Sequence, residues 1–212
     1  MTLQKRIACL TTATLLFSLP ACSSQRLDEA LNLKGTETSE AVEETKEGGD
    51  EVTEEPSTTE PKWHGKNFTE NETIVLNFLQ ERGITDKYAL ATVLGNIQQE
   101  SRFQPLICEG GKMTGYKGCW TGGFGLIQWT TTGRYDGLGW FANKYGLDPN
   151  DINTQLRYMV NEREWIEVEH IFKSEGSSRQ RLMNAAYYWL GWGIHGNRSH
   201  YTTNYINALY MA

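Results

Sequence analysis

Apolar positions recur at helical spacing along most of the second half of the chain. "TENE" (Thr69–Glu72) has the form of a capping box, and Ile74, Val75, Phe78 and Leu79 follow on one helical face. This predicts a helix that Gly83 ends. A second helix is expected from about Asp86 to about Glu100, with Pro105 blocking continuation. The Gly-rich stretch from Cys108 to Gly125 has no periodicity and reads as a loop with room for a small hairpin. "GLIQW" (Gly125–Trp129) and "GRYDGLGWFANKYG" (Gly133–Gly146) predict shorter helices, and "DINTQLRYMVNEREW" (Asp151–Trp165) a longer one. "SSRQRLMNAAYYWLGW" (Ser177–Trp192) starts with a Ser cap and sets Leu182, Ala186 and Trp189 on one face. "SHYTTNYINALY" (Ser199–Tyr210) closes the pattern with Tyr201, Tyr205 and Leu209 aligned. Trp140, Trp165 and Trp189 read as core. No convincing alternation marks a strand. The expected fold class is mainly α, a helical domain with a small Gly-rich loop or hairpin lobe.

Charge changes the picture once it is located. The chain has 212 residues and a formal charge of -6. Residues 26–62 hold 12 Asp/Glu against 4 Lys/Arg, whereas residues 63–212 hold 14 of each. All 7 Trp and all 10 Tyr fall in 63–212. The acidity therefore belongs to a segment that cannot bury enough apolar surface to offset its ordering entropy, and the aromatics belong to a folded domain. A neutral domain gives no electrostatic reason to expect nucleic acid as partner. We divide the chain into 1–21, an export signal; 22–62, a flexible acidic tether; and 63–212, the domain.

The division at residue 21 rests on chemistry at the start of the chain. Lys5 and Arg6 precede an apolar run, Ile7–Leu19, that is short for a bilayer span. It ends in "LPAC", Leu19–Cys22. This resembles the lipobox of bacterial lipoproteins, which implies removal of residues 1–21 and a thioether-linked lipid on Cys22. A conventional secretory signal and an uncleaved anchor helix are the alternatives. All three put the domain outside the cytoplasm, facing periplasm or cell wall. Cys108 and Cys119 then form an even pair in an oxidising compartment, bracketing "CEGGKMTGYKGC". A bridge there would contribute about 2–3 kcal/mol on the chain-entropy model. Two Cys without a nearby His make half a zinc site, and the four His show no metal-ligand spacing. Neither metal nor cofactor is expected, and a Cys–His peptidase is disfavoured.

Glu100 is the candidate for chemistry. Val93, Ile97 and Glu100 stand at i, i+4 and i+7, on one face of the second helix. The first two should point to the core, which leaves Glu100 at the core edge and partly desolvated. Desolvation disfavours the anion and suits a carboxyl group to act as general acid on a glycosidic oxygen. A glutamate at a helix end can equally turn to solvent or pair with Arg102.

"ALATVLGNIQQESRFQP" followed by "GGFGLIQWT" resembles the phage tail lysozyme family, within the broader group of goose-type lysozymes and soluble lytic transglycosylases. Glu100-Ser101 and Gly125-Leu126-Ile127-Gln128 occupy the places of that group's Glu-Ser and Gly-Leu-(apolar)-Gln elements. "NAAYYWLGWG" (Asn184–Gly193) is loosely like a third element, with Tyr188 where the transglycosylases carry Asn. The resemblance covers most of 69–212. It implies a lysozyme-like fold and cleavage of peptidoglycan glycan strands at the MurNAc–GlcNAc linkage, by a muramidase or a lytic transglycosylase. Glu100 would be the catalytic acid. Ser101 would orient it or touch substrate, Gln128 would hydrogen-bond an N-acetyl or hydroxyl group, and Trp129 and Tyr188 would be sugar platforms. Each has a plainer role: a hydroxyl on the helix backbone, a capping amide, core rings. Glu109 and Asp136 are the candidates for a second carboxylate, although transglycosylases manage with one Glu. The phage relatives act during passage through the wall, so an envelope-spanning machine is an expected partner. The other class of function is a peptidoglycan-binding or envelope assembly module that kept the fold without turnover. A lysozyme-fold inhibitor or protein-binding scaffold is a third.

Overall fold

The computed structural model describes residues 62–120, 122–130 and 132–212. The signal, Cys22 and almost all of the tether lie outside these residues. Eight helices and two short antiparallel pairs make up the described part. The expected mainly helical fold with a small hairpin is what forms.

Capping decides where the first two helices begin. Thr69 caps α1 (Glu70–Glu81) through a complete capping box with Glu72. Asp86 caps α2 (Lys87–Ser101) by accepting from the N–H groups of Tyr88 and Ala89. α2 ends where Arg102 and Phe103 turn left-handed, at φ 53 and 60°. It is the central helix. Every residue from Ala89 to Ile97 is buried, including Thr92 and Asn96, which hydrogen-bond backbone carbonyls one turn back. α2 packs against α7 (Arg179–Leu190) and most extensively against α8 (Arg198–Ala208). The approach of α8 is close because Gly95 has no side chain. A Cβ there would lie 2.5 Å from the backbone N of Thr202, too near for α8 to stay where it is.

Strand pairs hold the edges. β1 (Trp63–Gly65) pairs antiparallel with β4 (Leu209–Met211), in the register Trp63↔Met211 and Gly65↔Leu209. Neither strand was legible, because three residues are too few to show alternation. β2 (Ile107–Cys108) and β3 (Lys112–Met113) form the small hairpin in the Gly-rich loop. Cys108 and Cys119 are bridged, with Cα atoms 5.5 Å apart.

The second half departs from expectation in three places. Gly125–Trp129 is a tight turn and not a helix. Phe124 and Trp129 exchange backbone hydrogen bonds across it, and Gly125 and Gln128 are left-handed at φ 74 and 54°. α3 (Thr132–Lys144) forms as expected, but Trp140 is 81% exposed. Leu138 and Ala142 carry its buried face, and Trp140 lies on the opposite side of that helix. The long helix expected over 151–165 breaks into α4 (Ile152–Met159) and α5 (Arg163–Ile166). Glu162 sits at the break and is buried there, held by partners from other segments. α6 (Glu169–Phe172) then leads to α7, capped by Ser178. Trp165 and Trp189 are core as expected, meeting edge to face at 4.9 Å, with Phe172 stacked on Trp165.

Candidate active site

Glu100 is the penultimate residue of α2, beside the start of α8. Its side chain is 15% exposed. It turns neither to solvent nor to Arg102. Its partner is Arg198, the first residue of α8, whose Nη2 donates to Glu100 Oε1. Among the hydrogen bonds of the described residues, Oε2 has no donor. Burial pushes the carboxyl group above the ordinary glutamate range. Arg198, and more weakly Arg134, pull the other way without cancelling the effect of burial. Among the described residues, the charged groups that shift it are these two arginines.

The loop between α7 and α8 is fastened to the end of α2 by two neighbouring residues. Gln99 Oε1 accepts from the N–H of Asn197 at 2.8 Å, beside the Glu100–Arg198 pair. Gly196, at φ 57°, lets the chain lie against Gln99; a Cβ would come within 2.9 Å of that side chain. Arg198 is gripped from its own side by the carbonyls of Ile194 and His195, each 2.9 Å from Nη1. Its guanidinium lies over the Trp192 ring at 4.4 Å.

The other sequence candidates fall in different places. Ser101 is buried, and its hydroxyl bonds to the Ile97 carbonyl at 3.4 Å, not to Glu100. Gln128 spends its amide N–H groups on the carbonyls of Gly125 at 3.0 Å and Ile107 at 3.3 Å, tying the turn to β2. Trp129 is corrected outright. The ring is fully buried and its Nε1 donates to Glu162 Oε2 at 2.9 Å, so it offers no face to a sugar. Tyr188 is 74% exposed and keeps an open ring face. Glu109 is exposed and folds over Gly122, where a Cβ would meet its carboxylate. Asp136 is exposed on α3, near the stacked pair Tyr116 and Tyr135.

Sequence reasoning missed Arg198, Arg134, Glu162 and Trp192. One signal existed for the first. The positive end of a helix is a poor place for a cation, so an Arg opening a helix asks for an anion nearby. Its anion stands 98 residues earlier, which no local pattern could show. Glu162 receives Arg134 through two bonds of 2.7 Å, with side chains 3% and 19% exposed. Arg134 thereby stands near Glu100 with its charge largely met by Glu162.

What the arrangement can do chemically is hold one shielded carboxyl group toward protonation, with one oxygen fixed and the other open. Comparison with known proteins places this site in context. "Morphogenesis protein 1" of Bacillus phage B103 is 32% identical over 123 residues, covering 56% of this chain and 32% of that protein. The chain thus spans about a third of the length of this relative. The family model for phage tail lysozyme matches residues 70–209, from the first residue of α1 to the first of β4. The match includes Glu100, the Gly125–Gln128 turn and Arg198, and the chain belongs to the phage tail lysozyme family.

Proposed function

We propose that the domain cleaves peptidoglycan glycan strands at the MurNAc–GlcNAc linkage, with Glu100 as general acid. The setting of Glu100 carries the reading: a partly buried carboxyl group at the end of the central helix, biased toward its protonated form, in a member of a lysozyme family. Glu100 in its neutral form donates its proton to the glycosidic oxygen. The C1–O bond breaks with its electron pair going to that oxygen, and positive charge develops on the sugar ring. In one-acid chemistry no second protein carboxylate takes part. The substrate's N-acetyl group or a sugar hydroxyl, with or without water, then completes the reaction.

Mass spectrometry of products from purified wall tests this. Hydrolysis leaves reducing MurNAc ends with water added, and transglycosylation leaves anhydro ends without it. Strands that remain intact but bound would favour the second reading, a wall-binding or assembly module without turnover. Two observations give that reading its standing: the relative is named a morphogenesis protein, and Arg198 favours the carboxylate.

The proposal extends to placement. Cys22 would carry a lipid, and residues 22–62 would let the domain reach the wall from a membrane surface, as a local opener for envelope-spanning machinery. Incorporation of a fatty-acid analogue should be lost in Cys22→Ala, and label retained in that variant would sink the anchor.

A further inference from the structure

Arg198 is confined far more than an ion pair needs. Its side chain is 5% exposed, at a helix start that disfavours its charge. Three contacts fix the plane of the guanidinium: the carbonyls of Ile194 and His195 on Nη1, and the face of Trp192. Its buried Nε finds no partner among the described residues. The confinement aims one N–H, on Nη2, at one oxygen, Glu100 Oε1.

We propose that Arg198 is a positioning residue for Glu100: it captures Oε1 and so reserves Oε2 as the oxygen that carries the proton and delivers it. The inference deepens the reading of Glu100 as acid and rests on it. In the neutral acid, Oε1 is the carbonyl oxygen and accepts from Nη2, which leaves the hydroxyl on Oε2 free of the arginine. As the glycosidic oxygen takes that proton, the electrons of the Oε2–H bond stay on the carboxylate. Arg198 then meets the new charge without moving. The arginine disfavours the neutral acid before the reaction, and burial offsets this. The charged groups acting on Glu100 are Arg198 from α8 and Arg134 from α3, the latter already paired with Glu162. His195 presents its backbone carbonyl to Arg198, while its imidazole bonds to Ser199.

Arg198→Met and Arg198→Lys separate charge from geometry. In the full chain, the titration of the Glu100 carboxyl carbon is followed by carbon-13 NMR and assigned with Glu100→Gln. Arg198→Met should raise the Glu100 midpoint. Arg198→Lys keeps the charge and should leave the midpoint near wild type. Yet a lysine cannot hold two carbonyls, an aromatic face and Oε1 in one plane. Both variants should therefore lose kcat by about 10–100-fold, as small misplacements of a reacting group do, with KM little changed. Wild-type kcat in either folded variant would overturn the proposal, as would an unmoved midpoint in Arg198→Met. If Arg198→Met does not fold, Arg198→Lys alone decides through kcat. A wild type that never cleaves glycan removes the acid role and this one with it. That failure is distinguishable, because the midpoint reads the ion pair whether or not glycan is cut.

Discussion

Glu100→Gln is expected to lower glycan cleavage by at least about 10²–10⁴-fold, the range that general acid catalysis contributes, while the domain stays folded. Gln can still accept from Arg198 Nη2 through its carbonyl oxygen, so the contact between α2 and α8 survives. It has no proton to give to a leaving oxygen. Stability should change by no more than about 1 kcal/mol, because two effects oppose each other. The variant no longer holds an anion in a half-buried place, and it no longer neutralises a buried guanidinium. The pH dependence gives the sign. Burial raises the Glu100 carboxyl above the ordinary value of 4.5. Its contribution to stability is then fully present below that value and lost as pH rises through the folded-state value. Denaturant midpoints of wild type minus Glu100→Gln should fall across that window and be flat on either side. Glu109→Gln and Asp136→Asn should keep turnover, because one-acid chemistry asks nothing of either exposed carboxylate. Loss in one of them would make the reaction a two-carboxylate hydrolysis, which in its inverting form calls for groups roughly 6.5–9.5 Å apart. Undiminished turnover in Glu100→Gln would end the catalytic reading.

How much of this was legible beforehand depended on the range of the physics involved. Caps are local: Thr69 with Glu72, Asp86 and Ser178 lie within a few residues of the N–H groups they satisfy, and all three helix starts could be read. The burial of Glu100 followed from its position one turn beyond Ile97. Its partner could not be read, because Arg198 reaches it only through the packing of α8 on Gly95. Trp129 was misjudged for a related reason. Type and neighbours suit it to a sugar, but the acid that claims its N–H lies 33 residues on, in a segment whose periodicity suggested unbroken helix. Trp140 failed the other way, since the pattern of α3 admits two faces and only tertiary contacts choose Leu138 and Ala142. A half-legible site is what long-range ion pairs produce: the groups that do chemistry show in local motifs, and the groups that set their charge and direction do not.

Glu162→Ala should be the most damaging single change to the fold among the charged residues. It removes the carboxylate that neutralises Arg134 and the acceptor of the Trp129 indole N–H. Breaking a buried pair by deleting one member costs about 3–5 kcal/mol, because the other charge stays in low dielectric. For a domain of this size that corresponds to a fall in Tm of roughly 6–20 °C. Glu162→Gln should recover part of the loss, because an amide oxygen in the place of Oε2 can accept from two donors of the three. Arg134→Met combined with Glu162→Leu should cost much less than Glu162→Ala alone, since two apolar side chains need no counter-charge. A loss below 1 kcal/mol for Glu162→Ala would place the pair with surface ion pairs, whose worth is about 0–1 kcal/mol. The same variant reports on the site. Arg134 already favours the Glu100 carboxylate, and without Glu162 its charge acts there less opposed. The Glu100 ionisation in folded Glu162→Gln should therefore move down, and the alkaline limb of cleavage should move with it toward lower pH. Arg198→Met moves the same limb up. Two substitutions in different segments of the chain would then displace one titration in opposite directions, an outcome expected only if the carboxyl group that both act on is the acid that is titrating.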